Sequence, residues 1–188
     1  MRASGKKRFR LPVAALTASL LIALALQAGV PDQPEDELKA AVVLSFLRYT
    51  EWPPAAPEST PINVGVMGRP DFVSALRRLL DGKAEGKRPF RLVELKTAAE
   101  GRGCQLVYLA FSSFGELRPA LATLRDTPVL TMGESDRFLE LGGQINLFLA
   151  DGRVAFEFRK SVLDGAGYTI SSKLLRFGQL RGRLKGTN

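Results

Sequence analysis

Hydrophobic and polar positions follow two rhythms along this chain, one helical and one extended. Apolar residues at Leu38, Val42, Phe46 and Tyr49 recur at helical spacing, which predicts a helix from Asp36 that ends at Trp52-Pro53-Pro54. Pro53–Pro61 is expected to be a loop, because its prolines and turn formers cannot continue a helix. Ile62–Met67 is a short β-branched run closed by Gly68. Asp71 stands where a helix N-cap is expected, ahead of an apolar face of Phe72, Val73, Leu76, Leu79 and Leu80. A Gly/Lys loop over Gly82–Pro89 leads to an imperfectly alternating strand, Phe90–Leu95.

Cys104–Phe111 is nearly continuous in apolar residues, the pattern of a strand buried on both faces. Ser112 and Ser113 are placed to cap a helix carrying Leu117, Leu121 and Leu124. Pro128–Met132 reads as a strand, Gly133 as a turn and Asp136–Leu141 as a short helix. Gly142-Gly143 leads into Ile145–Leu149, and Asp151-Gly152 signals a hairpin to Val154–Phe158. A last helix is expected from Ser171 to about Leu180. The predicted fold is α/β: a three-layer sandwich, with a mostly parallel sheet flanked by helices on both faces and one antiparallel hairpin. Val66-Met67-Gly68-Arg69-Pro70-Asp71 and Thr131-Met132-Gly133-Glu134-Ser135-Asp136 echo one another as strand end, Gly turn and acidic helix start, as any two βα turns do. Ligands of open α/β sheets favour the crevice at such strand ends, so Gly68 and Gly133 are candidate ligand-site positions.

The N-terminus changes the picture most. Arg2, Lys6, Lys7, Arg8 and Arg10 precede an apolar run from Leu11 to Val30, and small residues then appear at cleavage-compatible spacing. That layout is a secretory signal peptide over residues 1–28, cleaved after about residue 25–28. An uncleaved membrane anchor is the alternative, since a span needs roughly 20 apolar residues. The expected organisation is then a linker at 29–35, one α/β domain at 36–183 and a tail at 184–188, in the periplasm. The whole chain has net charge +8, and removing five basic residues and no acid with the leader reduces this to +3. The high pI therefore belongs mostly to the targeting segment and gives no support to a nucleic-acid partner.

Two absences narrow the chemistry. No His is present, which excludes His-based triads, His metal sites and a His pH switch. Cys104 is the single Cys, so no intramolecular disulfide forms, and a lone Cys in an apolar run usually packs as a small core residue. No phosphate-cradling glycine pattern occurs, Asp32, Glu35, Asp36 and Glu37 read as a solvated helix entry, and no cofactor or metal is expected. Ser171-Ser172-Lys173 is the most enzyme-like triplet, although Ser172 and Lys173 are helix neighbours pointing apart and the Ser pair suits N-capping. A helix start with two hydroxyls and a Lys also suits an anion or a partner's carboxylate. Phe46, Tyr49 and Trp52 are expected mostly in the core, with Trp52 the most exposed of the three.

Seven blocks in fixed order carry a family resemblance. Leu38-Lys39-Ala40-Ala41 with Phe46 to Pro53 resembles the opening helix of the YfiR family. Pro61–Gly68, Gly103–Tyr108, Pro128–Gly133, Phe138 with Gly142–Leu147, Arg153–Phe158 and Ile170–Leu175 resemble its later blocks, with Gln105 where a His is usual and Arg159 where an Asn is common. The resemblance implies a periplasmic protein of the DUF4154 type without catalytic activity. It implies repression of a membrane-bound diguanylate cyclase through that enzyme's periplasmic domain, and sequestration by an OmpA-like outer-membrane protein, linking the envelope to cyclic-di-GMP and biofilm behaviour. The disulfides of some members cannot be carried over to a chain with one Cys. The expected function is thus a non-enzymatic regulatory binding protein, with Arg48, Trp52, Gly68, Gly133, Ser171, Ser172 and Lys173 as partner- or ligand-binding candidates and a homodimer left open. The alternative is a small-ligand sensor or solute-binding module, or a Ser-dependent hydrolase, with its cleft near Gly68, Gly133 and Ser171–Lys173.

Overall fold

Extended runs and helical runs alternate as the apolar pattern requires, and eight of the ten described strands collect into one sheet while the other two pair with each other. The computed structural model describes residues 35–180 apart from Ala56, Ser112 and 160–166, all within one compact unit, Pro34–Asn188. The expected leader, the expected linker up to residue 34 and the expected tail lie outside the described residues, while Glu35, expected in the linker, begins the first helix. The elements run α1 (Glu35–Arg48), β1 (Thr50–Glu51), β2 (Ile62–Gly68), α2 (Pro70–Leu80), β3 (Ala84–Glu85), β4 (Arg88–Glu94), a 3-10 turn (Ala98–Gly103), β5 (Leu106–Ala110), α3 (Phe114–Leu124), β6 (Leu130–Gly133), β7 (Ile145–Ala150), β8 (Arg153–Phe158), β9 (Thr169–Ile170), α4 (Ser172–Leu175) and β10 (Gln179–Leu180).

The sheet order is β10-β8-β7-β6-β5-β2-β4-β3. Strands β4, β2, β5, β6 and β7 are mutually parallel, while β8 runs antiparallel to β7 and β3 antiparallel to β4. Counted in chain order, the parallel strands read 2-1-3-4-5, a doubly wound arrangement whose order reverses between β2 and β5. The expected hairpin forms, with Asp151 and Gly152 both at positive φ as a two-residue turn needs.

Period-two alternation divides the core into two layers. On β5, Leu106, Tyr108 and Ala110 face a cluster with α1 and α2, while Val107 and Leu109 face one with α3 and the 3-10 turn. Helices therefore cover both faces, as the all-apolar β5 demands. On α1, Ala40, Val43, Leu44, Phe46 and Leu47 pack inward, and Phe46 meets Phe156 edge to face at 5.0 Å.

Local details depart from the sequence pattern where tertiary demands prevail. Helix α1 ends at Arg48, because Thr50–Glu51 pair with β9 instead of extending it. Arg69, not Asp71, is the N-cap of α2, since Pro70 takes the first helical position, where its missing N–H is harmless. The Gly/Lys loop contains β3, turned back on β4 at Gly86. Residues 136–141 form turns instead of a helix. Phe138 fills the gap between Gly133 and Gly143, where a Cβ on either would overlap its ring. The last helix stops at Leu175, because Gly178 lets the Phe156 ring approach and Gln179–Leu180 then pair with β8.

Candidate functional site

Two surface features compete for function, at opposite ends of the sheet. The first lies at the carboxyl ends of the strands. Gly68 ends β2 with φ +107, and a Cβ there would stand 2.5 Å from the Ala110 carbonyl oxygen, so only Gly lets β2 turn this close to β5. The next residue, Arg69, donates from Nη1 to Glu134 Oε1 at 2.9 Å, and Glu134 is the residue after Gly133 at the end of β6. The echoed turns thus meet: the residues following the two glycines are ion-paired. Lys39 of α1, 4% exposed, pairs with Glu134 and Glu35, and Arg69 also pairs with Asp36. The Tyr108 hydroxyl donates to Glu134 Oε2 at 3.3 Å.

This cluster pins the start of α1 to three strand ends. Burial pushes the Tyr108 hydroxyl well above the usual tyrosine range, and the Glu134 charge adds to it. Burial works to lower the Arg69 guanidinium, but Glu134 and Asp36 outweigh it and raise it. A shallow pocket of about 330 Å³ remains above, lined by Lys39, Arg69, Phe111, Phe114, Glu134, Ser135 and Asp136. The crevice that doubly wound folds give to ligands is here crossed by the chain's own salt bridges. Reading Asp36 as a solvated acid was therefore wrong, because its carboxylate binds Arg69 and its side chain is 14% exposed.

The second feature lies at the opposite end of β2. A pocket of about 410 Å³ is lined by Arg48, Tyr49, Thr50, Glu51, Trp52, Ile62, Glu85, Arg88 and Ser171. The β1–β9 pairing builds it, with Ser171 N–H donating to the Tyr49 carbonyl at 2.8 Å. Trp52 Nε1 donates to the Leu47 carbonyl at 3.0 Å and its ring lies 5.7 Å from that of Tyr168, so it is half-buried and oriented. Tyr49 was expected in the core but is 54% exposed, because the chain turns out of α1 before its ring reaches the sheet. Arg88 is held by the Thr60 and Pro53 carbonyls, whereas the Arg48 guanidinium is exposed without a partner among the described residues.

Three of the seven candidate residues, Arg48, Trp52 and Ser171, converge on this second pocket. Gly68 and Gly133 lie at the other end of the sheet, so no single cleft joins them to Ser171–Lys173. The seven-residue length of β2, about 20 Å, lies between. Ser171 Oγ accepts from Lys173 N–H at 3.3 Å as the N-cap of α4, and Ser172 and Lys173 are exposed neighbours. The triplet therefore caps a turn, and it presents no Ser–Lys pair. Cys104 is buried beside Gly65, and burial pushes its thiol up, away from thiolate chemistry. Among the described residues no group of His, Cys, Asp and Glu is arranged to hold a metal ion, and no helix is long and apolar enough to cross a membrane.

Sequence reasoning missed Lys39, Arg69 and Glu134. The internal echo was the available signal, since it set Arg69 and Glu134 at equivalent places with opposite charges.

The family model described as DUF4154, YfiR/HmsC-like, matches residues 36–179. This chain belongs to the YfiR/HmsC-like family. The family is a regulatory, non-catalytic one, which supports a regulator's role in general terms. Gln105, where the family's pattern has a His, accepts from the Asn63 backbone N–H at 2.7 Å and so ties β5 to β2. No curated protein matches the chain. Among solved structures, the fold is similar to a conserved domain protein from Vibrio cholerae O1 biovar eltor, at 11% identity and TM-score 0.50 over 78% of this chain and 60% of that one. It is also similar to an ABC domain from Streptococcus pneumonia in complex with L-Trp, at 7% identity and TM-score 0.50 with the same coverages. The chain thus spans about 60% of the length of these structures, and the likenesses concern the fold alone.

Proposed function

We propose that this protein is an exported, periplasmic regulator that acts by occupying another protein rather than by turning over a substrate. Its partner is the periplasmic domain of a membrane-bound diguanylate cyclase, which it represses, and an OmpA-like outer-membrane protein draws it away. The observation that carries the reading is the family match over residues 36–179. The face we assign to the partner carries Arg48, Tyr49 and Trp52, where a guanidinium without a partner among the described residues lines one pocket with an exposed and a half-buried aromatic ring. Arg and aromatic residues in that combination are the usual anchors of protein interfaces.

The small-ligand alternative would use the crevice at the strand ends, where Lys39 and Glu134 are already bonded to each other. A ligand there would have to displace a largely buried ion pair, which argues against it. The test is a pull-down from envelope extracts together with cyclic-di-GMP measurement in a deletion strain. Recovery of a membrane cyclase and a rise in cyclic-di-GMP on deletion are expected, and an Arg48→Ala/Tyr49→Ala variant that keeps its thermal stability should neither capture the cyclase nor bring the nucleotide back down when it complements the deletion. An unchanged nucleotide level and no membrane signalling protein in the pull-down would end the proposal.

A further inference from the structure

Charge is distributed unevenly along this chain in a way the partner reading does not use. Residues 165–188 hold five basic residues, Lys173, Arg176, Arg181, Arg183 and Lys185, and no acid. The leader holds five more, so residues 29–164 keep 17 of the 27 basic residues against all 19 acids, a net −2. A neutral to slightly acidic body followed by a strongly basic end is the asymmetry of a chain that meets a polyanionic surface.

The described part of this end has the matching shape. Lys173, Arg176 and Phe177 stand at i, i+3 and i+4 on the turn that α4 begins, with Arg176 N–H donating to the Ser172 carbonyl and Phe177 N–H to the Leu174 carbonyl. Leu174 and Leu175 point the other way and pack on the larger core cluster. Phe177 is 81% exposed, more than any other large apolar side chain among the described residues. Neither Lys173 nor Arg176 has a side-chain partner there. An aromatic ring held out in water on the same turn as two cations that have no partner among the described residues, with two leucines anchoring that turn from behind, is the arrangement of an interfacial membrane contact. The ring enters the acyl boundary while the cations stay among the headgroups.

We infer that this protein binds the surface of an anionic phospholipid bilayer through Lys173, Arg176 and Phe177. Held there, it would meet a membrane-bound partner by lateral diffusion, so the inference goes beyond the partner reading without depending on it. Binding is electrostatic in reach and apolar in grip. Salt therefore weakens it as the Debye length shortens from about 10 Å at 0.1 M to about 3 Å at 1 M.

The experiment is vesicle co-sedimentation of protein recovered from the cell envelope after expression of the full chain, so that every variant shares one N-terminus. Vesicles of mixed phosphatidylglycerol and phosphatidylcholine should retain the protein at low salt and release it at high salt, and pure phosphatidylcholine should not retain it. Each basic residue removed should weaken binding about fivefold, so Lys173→Ala/Arg176→Ala should weaken it roughly 25-fold. Phe177→Ala should weaken it about tenfold and make the remainder more salt-sensitive. Both variants change exposed side chains, and unaltered thermal melts will show that the fold is intact. Equal retention by neutral and anionic vesicles overturns the inference. So does full retention of both variants, or soluble polyglutamate competing as well against wild type as against Phe177→Ala, which would mark an acidic protein as the target. Loss of partner capture with vesicle binding intact would sink the partner reading alone.

Discussion

Glu134 is the group on which the strand-end cluster depends, and replacing it by Gln measures what that cluster contributes. The substitution keeps the volume and removes the charge from a side chain only 10% exposed. Lys39, with a side chain 5% exposed, then keeps only Glu35, itself 43% exposed, and Arg69 keeps only Asp36. Removing one member of a fully buried pair costs about 3–5 kcal/mol, because the other charge is left without compensation. The surviving partners reduce this, and a loss of about 2–3 kcal/mol is expected. For a domain of this size that is a fall in Tm of roughly 5–10 °C. Urea denaturation followed by circular dichroism gives the free energy directly. The control is Glu94→Gln, which breaks an Arg77–Glu94 pair whose side chains are 57% and 61% exposed and should lose less than about 1 kcal/mol. Adding Lys39→Met to Glu134→Gln should recover much of the stability, since the stranded cation is gone. If Glu134→Gln matches the surface control, or the double variant is less stable than the single, the cluster is not the clamp described here.

Further outcomes follow from other positions. Tyr108 has a folded pKa raised well above its unfolded value of about 10, so its contribution is full below pH 10 and is lost as pH rises beyond it. Urea midpoints measured across alkaline pH should fall less steeply for Tyr108→Phe than for wild type, and parallel curves would contradict the assignment. Gly68→Ala should lose more than about 2 kcal/mol, because it combines a positive φ with overlap on the Ala110 carbonyl, whereas Gly82→Ala at φ +64 in open space should lose only about 1 kcal/mol by chemical denaturation. Cys104→Ala should leave partner capture unchanged under oxidising and reducing conditions, since the thiol is buried and its pKa raised; a redox-dependent difference in pull-downs would refute this.

Much of the architecture was legible because burial imposes its period on the sequence. The apolar run around β5, the spacing within α1 and α2, and the Asp151-Gly152 turn each specify local geometry without reference to distant residues. Illegible features were those decided by partners far along the chain. Tyr49 has helical spacing but leaves the core because Thr50 pairs with Ile170, and the 171–180 segment has helical composition but yields its end to β8. Residues 136–141 have a helix pattern, yet become turns that hold Phe138 between two glycines.

The candidate sites divide in the same way. Alone, the sequence determined the α/β class, both buried layers, the capping role of Ser171 and the absence of His chemistry, because periodicity, caps and composition act over a few residues. Only the tertiary structure decided that Arg48, Trp52 and Ser171 share a pocket while Gly68 and Gly133 lie at the other end of the sheet. It alone turned Lys39, Arg69 and Glu134 into one cluster. Electrostatic pairing depends on distance in space, and strand order, which no local pattern encodes, sets that distance.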